Sequence, residues 1–445
     1  MKKAIYFTAT IALLIIMNAS GQVKSITSDT QWELQQAVLK NTPEAACIIR
    51  MGDVDNLGFG WPDDFDPFCG RMTAAHSWPW ESNKDDLPGF DRILLSSKFD
   101  PSKIHDCDGD GYSESYDPSK TKPVAWNIAT DALKGMTIQN IYLQLFIDDF
   151  QAPSFCSRFQ LLINGKRFVE GEKVLNAIDQ TGPVGKLISI PLTEEFYPLL
   201  TGGSNVSIMI DESTGAADGF AVDFIRLLAN RKRENSCKGT VRGVVLDKET
   251  EQPVAGAHVF SMEGMSAETD AQGKFELRNI PTGFEVLSAR AAGYEDGTGT
   301  ADIGEGDENQ DVFILLTKGK SAAFGNRQIK VGESITLDNI LFDQGKADIR
   351  PESRQTLDNV ADFLKANPTA EIELSGHTSS EGDAAYNRSL SYKRVNACKH
   401  YITAKGIAED RIYAVGYGPD HPVAANDTEA NRAKNRRVEM RLKKL

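Results

Sequence analysis

Hydrophobic periodicity divides the 445-residue chain into an apolar leader and three blocks of different rhythm. The apolar run 4–17 follows Met1-Lys2-Lys3 and gives way to Asn18-Ala19-Ser20-Gly21. A basic start, a short apolar core and a small-residue end predict a signal peptide over 1–21, since a bilayer span wants about 20 apolar residues. From 22 to 234 the apolar positions come in strand-length runs, among them 141–147, 159–163 and 205–210, parted by Asn164-Gly165 and Gly202-Gly203. Short strands with frequent turns predict a β-sandwich, with 218–228 as its closing buried strand. The basic, polar stretch 230–236 marks a boundary. Alternating runs at 241–247, 253–259, 269–277 and 312–316 then predict a small all-β unit over 237–318, with a hairpin turn at Asp270-Ala-Gln-Gly273. A polar linker is expected at 319–330.

Beyond 331 the period changes. Residues 335–342, 371–375, 412–416 and 437–442 alternate as strands. Residues 351–366 place Leu357, Val360, Ala361 and Leu364 on one helix face, with Pro351 in the first turn. A second helix is expected over 385–405, ended by Gly406. The order β-α-β-α-β-β predicts an α/β sandwich with helices on one face of a mixed sheet.

Charge sharpens the division. The formal net charge is −14, which argues against a nucleic-acid partner. From Val331 onward there are 17 basic and 17 acidic side chains, so the acidity belongs to the first two-thirds. Six cysteines stand at 47, 69, 107, 156, 237 and 398. Export would permit disulfides, but spacing leaves their pairing open. Cys398 falls inside a helical pattern and reads as a buried thiol.

The acidic block holds a cation-binding spacing. Asp106-Cys-Asp-Gly-Asp-Gly-Tyr-Ser-Glu-Ser-Tyr-Asp117 sets oxygen ligands Asp106, Asp108, Asp110, the Tyr112 carbonyl, Glu114 and Asp117 around Gly111 at the sharp turn. Hard Ca²⁺ takes six to eight oxygens, so a structural Ca²⁺ is expected there. The flanks lack amphipathic helices, and the loop resembles the isolated loops of dockerin or thrombospondin-type repeats. Asp53 and Asp55 offer a second acidic pair. Trp61, Trp78 and Trp80 would either join the core or stack on a glycan.

Two family resemblances follow from the motifs. The 237–318 pattern, with Ile280-Pro-Thr-Gly283 and Gly293-Tyr294, resembles the transthyretin-like or carboxypeptidase-regulatory-like seven-stranded sandwich, which implies a stalk. The last block carries Phe342-Asp343 before Lys346-Ala-Asp-Ile-Arg-Pro-Glu-Ser353, then Gly376-His-Thr-Ser-Ser-Glu-Gly382 and Asn387-Arg-Ser-Leu-Ser-Tyr-Lys-Arg394. Gly416-Tyr-Gly418, Pro422, Asn426-Asp-Thr428 and Asn435-Arg-Arg-Val-Glu439 follow in order. Together these resemble the OmpA C-terminal, peptidoglycan-binding domain.

That resemblance implies a site for the diaminopimelate of the peptidoglycan stem peptide. The residues matching it are Asp343, Thr378, Ser379, Asn387, Leu390, Arg394 and Arg436, with Arg394 taking the carboxylate. Asn387, Leu390 and Arg394 recur at i, i+3 and i+7 on one helix face. Where the family has an aspartate for the ligand's ammonium, this chain has Ser379; Glu381 and Asp383 are the nearby acids that could stand in. By analogy of architecture alone, the first block is expected to be a galactose-binding-like jelly roll.

Nothing in the motifs marks an enzyme: there is no Gly-x-Ser-x-Gly elbow, His-Glu-x-x-His pair or phosphate-binding glycine loop. The expectation is a non-enzymatic, exported protein of the Gram-negative periplasm, associated with peptidoglycan and the outer membrane. It would present an adhesion-type first block to an envelope complex. An accessory subunit of a secretion or motility complex fits the same residues, as does a wall- or glycan-active hydrolase with a wall-targeting module.

Overall fold

The computed structural model describes residues 36–52, 54, 56–57, 61, 66–69, 73, 92–95, 125–148, 150, 157–178, 184–203, 205–215, 219–232, 234, 236–306, 311–343 and 345–445. The expected signal peptide lies outside these residues. No helix among them is long and apolar enough to cross a membrane.

In the first block, alternation does what it predicts. The strands Ala45–Gly52, Gly219–Arg231, Ile141–Asp148 and Lys186–Pro191 pair antiparallel in that order. A second sheet orders Ala125–Ala129, Asn205–Glu212, Phe159–Ile163 and Lys166–Arg167. Both sheets feed one core, where Ile49, Leu143, Leu145, Ile188 and Leu227 of the first meet Trp126, Leu161 and Ile208 of the second. Two short helices, α1 (Val169–Leu175) and α2 (Tyr197–Thr201), close its rim. The turn Asn164-Gly165 sits at φ 50° and 73°, the left-handed pair that a two-residue hairpin needs.

Among the described residues seven strands follow between Lys238 and Leu316. Gly273 sits at φ 70°, and its N–H donates to the Asp270 carbonyl at 2.9 Å, closing the predicted hairpin. The unit is fused to the first block. Phe284 and Val286 enter the first block's core, and Phe284 pairs with Ile188 across the two. Arg231–Glu263 at 2.7 Å and Lys186–Asp302 at 2.9 Å are ion pairs across the same boundary. A disulfide, Cys69–Cys237, ties them covalently over a sequence separation of 168. Cutting so long a loop frees much unfolded-chain entropy. The Cys69→Ser, Cys237→Ser double variant should therefore unfold about 2–4 kcal/mol more easily, seen as a lower urea midpoint. An unchanged midpoint would refute the pairing. Cys47 and Cys398 are buried thiols; burial pushes Cys398 up to about 12.

Residues 319–330, expected as a linker, instead form a hairpin of Ser321–Phe324 and Arg327–Lys330. Ala322 and Ile329 are buried in the last block's core, and Phe324 packs edge-on against Phe363. The last sheet orders Ser334–Thr336, Val438–Lys444, Glu371–His377 and Ile412–Gly418 and is mixed, as expected. Helices α3 (Arg354–Ala366) and α4 (Ala384–Thr403) supply Leu357, Val360, Val395 and Cys398 to its core. Two differences from the sequence reading stand out. The strand expected over 335–342 stops at Thr336, because Asn339 turns left-handed at φ 63°. A short helix, α5 (Glu429–Asn435), precedes the final strand; it is capped when Thr428 Oγ1 accepts from the Asn431 N–H.

The face of this sheet turned away from the helices is polar yet buried. Glu373, Ser375 and Arg441 are 2–6% exposed. The middle unit covers them: Arg290 pairs with Glu373 at 2.5 Å, and Asp296 meets Arg441 at 2.6 Å and Lys443 at 3.0 Å. From the first block, Lys173 of α1 lies 3.8 Å above the Tyr413 ring.

Candidate functional site

The predicted residues gather where α4 begins. Asp383 caps the helix, its carboxylate accepting from the Tyr386 N–H at 2.8 Å. One turn on, Asn387 is buried and donates from Nδ2 to the Glu381 carbonyl at 2.8 Å, which pins the 378–383 loop to the helix. Leu390 and Arg394, on the same face, are half-buried. Arg394 reaches the 343–346 loop: Nε donates to the Lys346 carbonyl at 2.9 Å and Nη2 to the Asp343 carbonyl at 3.2 Å. Its guanidinium stacks 5.0 Å from the Phe342 ring centre.

Charge at this point is unbalanced. Asp343 spends its carboxylate on Arg350, at 2.6 and 2.9 Å, and that pairing holds it below the usual carboxylate range. Arg394 makes no ion pair among the described residues. Burial, then the nearby Arg436, disfavour its charge. Arg394 is thus a guanidinium held only by backbone carbonyls. Such a group is suited to receive an anion, most aptly a carboxylate that can take the planar fork.

The opposite wall is fixed by an asparagine. Asn435, fully buried, accepts from the Val423 and Ala424 N–H groups at 2.9 and 3.0 Å, and donates to the Ala424 carbonyl and Asn426 Oδ1. Asn426 Oδ1 in turn accepts from the Ser380 N–H at 3.1 Å. Asn435 was part of the motif, yet its role as the clamp between loops is visible only in three dimensions. Thr378 and Ser379 are 4% and 6% exposed, and the buried Thr378 hydroxyl has no hydrogen-bond partner among the described residues. His377 stacks on Tyr417 with ring centres 5.5 Å apart. Burial, then Arg437, lowers its pKa to about 4, so the ring is neutral at pH 7.

The two acids near the missing aspartate, Glu381 and Asp383, differ in what they do. Asp383 is taken up by its cap. Glu381 is 62% exposed and lies 3.2 Å from Arg432, which also pairs with Glu429 at 3.1 Å. Arg436 donates to Glu429 at 2.5 Å.

Other predicted features are placed differently. The loop of Asp106, Asp108, Asp110, Tyr112, Glu114 and Asp117 lies outside the described residues, as do Asp53, Asp55, Trp78 and Trp80. Trp61 is half-buried; its indole N–H donates to the Val54 carbonyl at 3.1 Å and its ring packs edge-on against Phe146. A cavity of about 590 Å³ opens at the junction of the three blocks, walled by Lys173, Tyr197, Arg290, Tyr392 and Tyr413. None of the predicted binding residues lines it.

Comparison with known proteins agrees with both resemblances. The family model described as "OmpA family" matches residues 341–436, and "CarboxypepD_reg-like domain" matches 241–323. Outer membrane porin F of Pseudomonas fluorescens is 46% identical over 101 residues, 23% of this chain and 31% of that protein. Peptidoglycan-binding protein ArfA of Mycobacterium tuberculosis is 39% identical over 107 residues, 24% of this chain and 33% of that protein. The chain thus spans about a third of the length of these curated relatives. Among solved structures, the peptidoglycan-associated lipoprotein of Burkholderia pseudomallei is 29% identical, covering 24% of this chain and 88% of that one, with a TM-score of 0.22. Residues 341–436 form a domain of the OmpA family, and residues 241–323 before them a CarboxypepD_reg-like domain.

Proposed function

We propose that this protein is a non-enzymatic component of the cell envelope that holds to peptidoglycan through its OmpA-family domain. The observation that carries the reading is Arg394, a half-buried guanidinium with no carboxylate of its own among the described residues. The ligand is the stem peptide, whose diaminopimelate ends in a free carboxylate. The name of the mycobacterial relative, a peptidoglycan-binding protein, supports the same reading. The first block, which we read as a jelly-roll-type domain, is then the presented part, fused to the middle unit.

Co-sedimentation of the full chain with purified, diaminopimelate-containing sacculi tests this. Binding should saturate and should weaken as NaCl is raised, because an ion pair at a half-open site is screened. Protein that stays in the supernatant at every salt concentration would remove the wall as its ligand.

A further inference from the structure

Arg436 is not idle in the ligand-free protein. Its Nη2 donates to Glu429 Oε1 at 2.5 Å, and Glu429 also holds Arg432 at 3.1 Å. Glu429 is 65% exposed and stands in the first turn of α5, one turn or two before the arginines it pairs with. Arg436 is itself 36% exposed, so solvent and solutes reach the pair. Arg394 has no such acid among the described residues and is bound only by carbonyls. Of the two arginines that the motif resemblance assigns to a carboxylate ligand, Arg394 is open and Arg436 already carries a carboxylate.

We infer that Glu429 is a built-in competitor that sets the affinity of this site by occupying Arg436 until a ligand carboxylate displaces it. The inference rests on the peptidoglycan reading for its ligand but not for its geometry. The competition is one of like charges: an arriving carboxylate meets Glu429 as a repelling neighbour and must share or take its hydrogen bond. The pair is exposed, so its hold is modest, and the effect on binding is a matter of tuning. Arg432, bridging Glu429 and Glu381, gives the displaced Glu429 somewhere to go.

The test is Glu429→Gln in the full chain. Sacculus binding should tighten by about two- to fivefold, the worth of one exposed ion pair. Glu429→Asp, which keeps the charge, should stay near wild type. In an Arg436→Ala background the gain from Glu429→Gln should vanish, because the acid acts through that arginine. Weaker binding by Glu429→Gln, or an equal gain without Arg436, would overturn the inference. A second readout does not need the wall. Phenylglyoxal modifies accessible arginines, and by peptide mass mapping Arg436 should react about two- to fivefold faster in Glu429→Gln. If wild type fails to bind sacculi but Arg436 is unmasked, the peptidoglycan reading falls and the competitor stands. Equal modification rates would sink the competitor whatever the wall does. Thermal melts of each variant ensure that an altered rate does not come from unfolding.

Discussion

Arg394→Ala should cut sacculus binding by roughly 10- to 150-fold, the worth of one charged hydrogen bond at about 1.5–3 kcal/mol. The expectation rests on what Arg394 lacks. Three arginines of the domain are matched to acids, Arg350 to Asp343, Arg388 to Asp420 and Arg437 to Glu439, whereas Arg411, like Arg394, is held by carbonyls. Arg394 donates instead to the Lys346 and Asp343 carbonyls, which fix its plane without cancelling its charge. The same bonds create a complication, since the alanine variant also releases the 343–346 loop and its stack on Phe342. Arg394→Lys separates the two effects. It keeps the positive charge and loses the fork, so binding should fall by less than in the alanine variant, while loop release should be similar. If lysine and alanine fail equally with unchanged melting temperature, the fork decides the binding. If neither variant differs from wild type, Arg394 is a loop clasp and the ligand binds elsewhere.

The OmpA-family domain was legible because its signals are dense and local. A capped helix, a left-handed glycine and motif residues at fixed offsets each point to the same element, and Asn387, Leu390 and Arg394 share the α4 face that their spacing assigned. Features that depend on partners distant in sequence were not legible. Six cysteines admit 15 full pairings, so nothing local selects Cys69–Cys237. The 321–330 hairpin is too short and polar to show a period, and only its burial of Ala322 and Ile329 reveals it as part of a core. Helix α5 has seven residues, fewer than periodicity can register. The substitution at Ser379 was visible from the sequence, but its surroundings were not. Buried beside the unpartnered Thr378 hydroxyl, it sits where an aspartate would have to lose water, while the exposed acids nearby are already paired.

The clearest failure of local reading concerns the alternate positions of the last sheet. Glu371-Ile-Glu-Leu-Ser375 and Arg437-Val-Glu-Met-Arg-Leu442 alternate as strands of a sheet whose one face the helices cover, and nothing local assigns a cover to the other face. In the structure Glu373, Arg441 and Lys443 instead meet Arg290 and Asp296 of the middle unit. The rule that alternation marks one buried face held, but the second face was covered as well, by residues whose own sequence shows no sign of it. Arg290 lies at the end of the strand Gly283–Arg290 and looks there like a terminal solvated charge.

Removing Arg290 should therefore do damage that a surface arginine would not. Its guanidinium holds Glu373, whose side chain is 3% exposed, at 2.5 and 3.2 Å. Burial alone would raise the Glu373 pKa, but Arg290, with Lys443 and Arg441, outweighs it and holds the carboxyl below its usual range. Arg290→Met leaves that buried charge with the Ser375 hydroxyl, 3.1 Å away, and the field of Lys443 and Arg441. Breaking one side of a buried pair costs about 3–5 kcal/mol. The chain can limit this cost by undocking the OmpA-family domain, so differential scanning calorimetry should show an earlier or split transition. Arg290→Met with Glu373→Leu removes both charges and should recover most of the loss, since a well-packed apolar pair replaces a buried ion pair at little cost. The same pair sets an acid limit. Because the folded Glu373 pKa lies below its unfolded value, the stabilisation is complete above the unfolded pKa of about 4.3 and is lost as pH falls through the folded value. The docked arrangement should thus be constant through neutral pH and come apart only in acid, below about pH 4. A variant that melts as wild type does, or a junction that opens near pH 6, would mean that the buried carboxylate does not hold the two domains together.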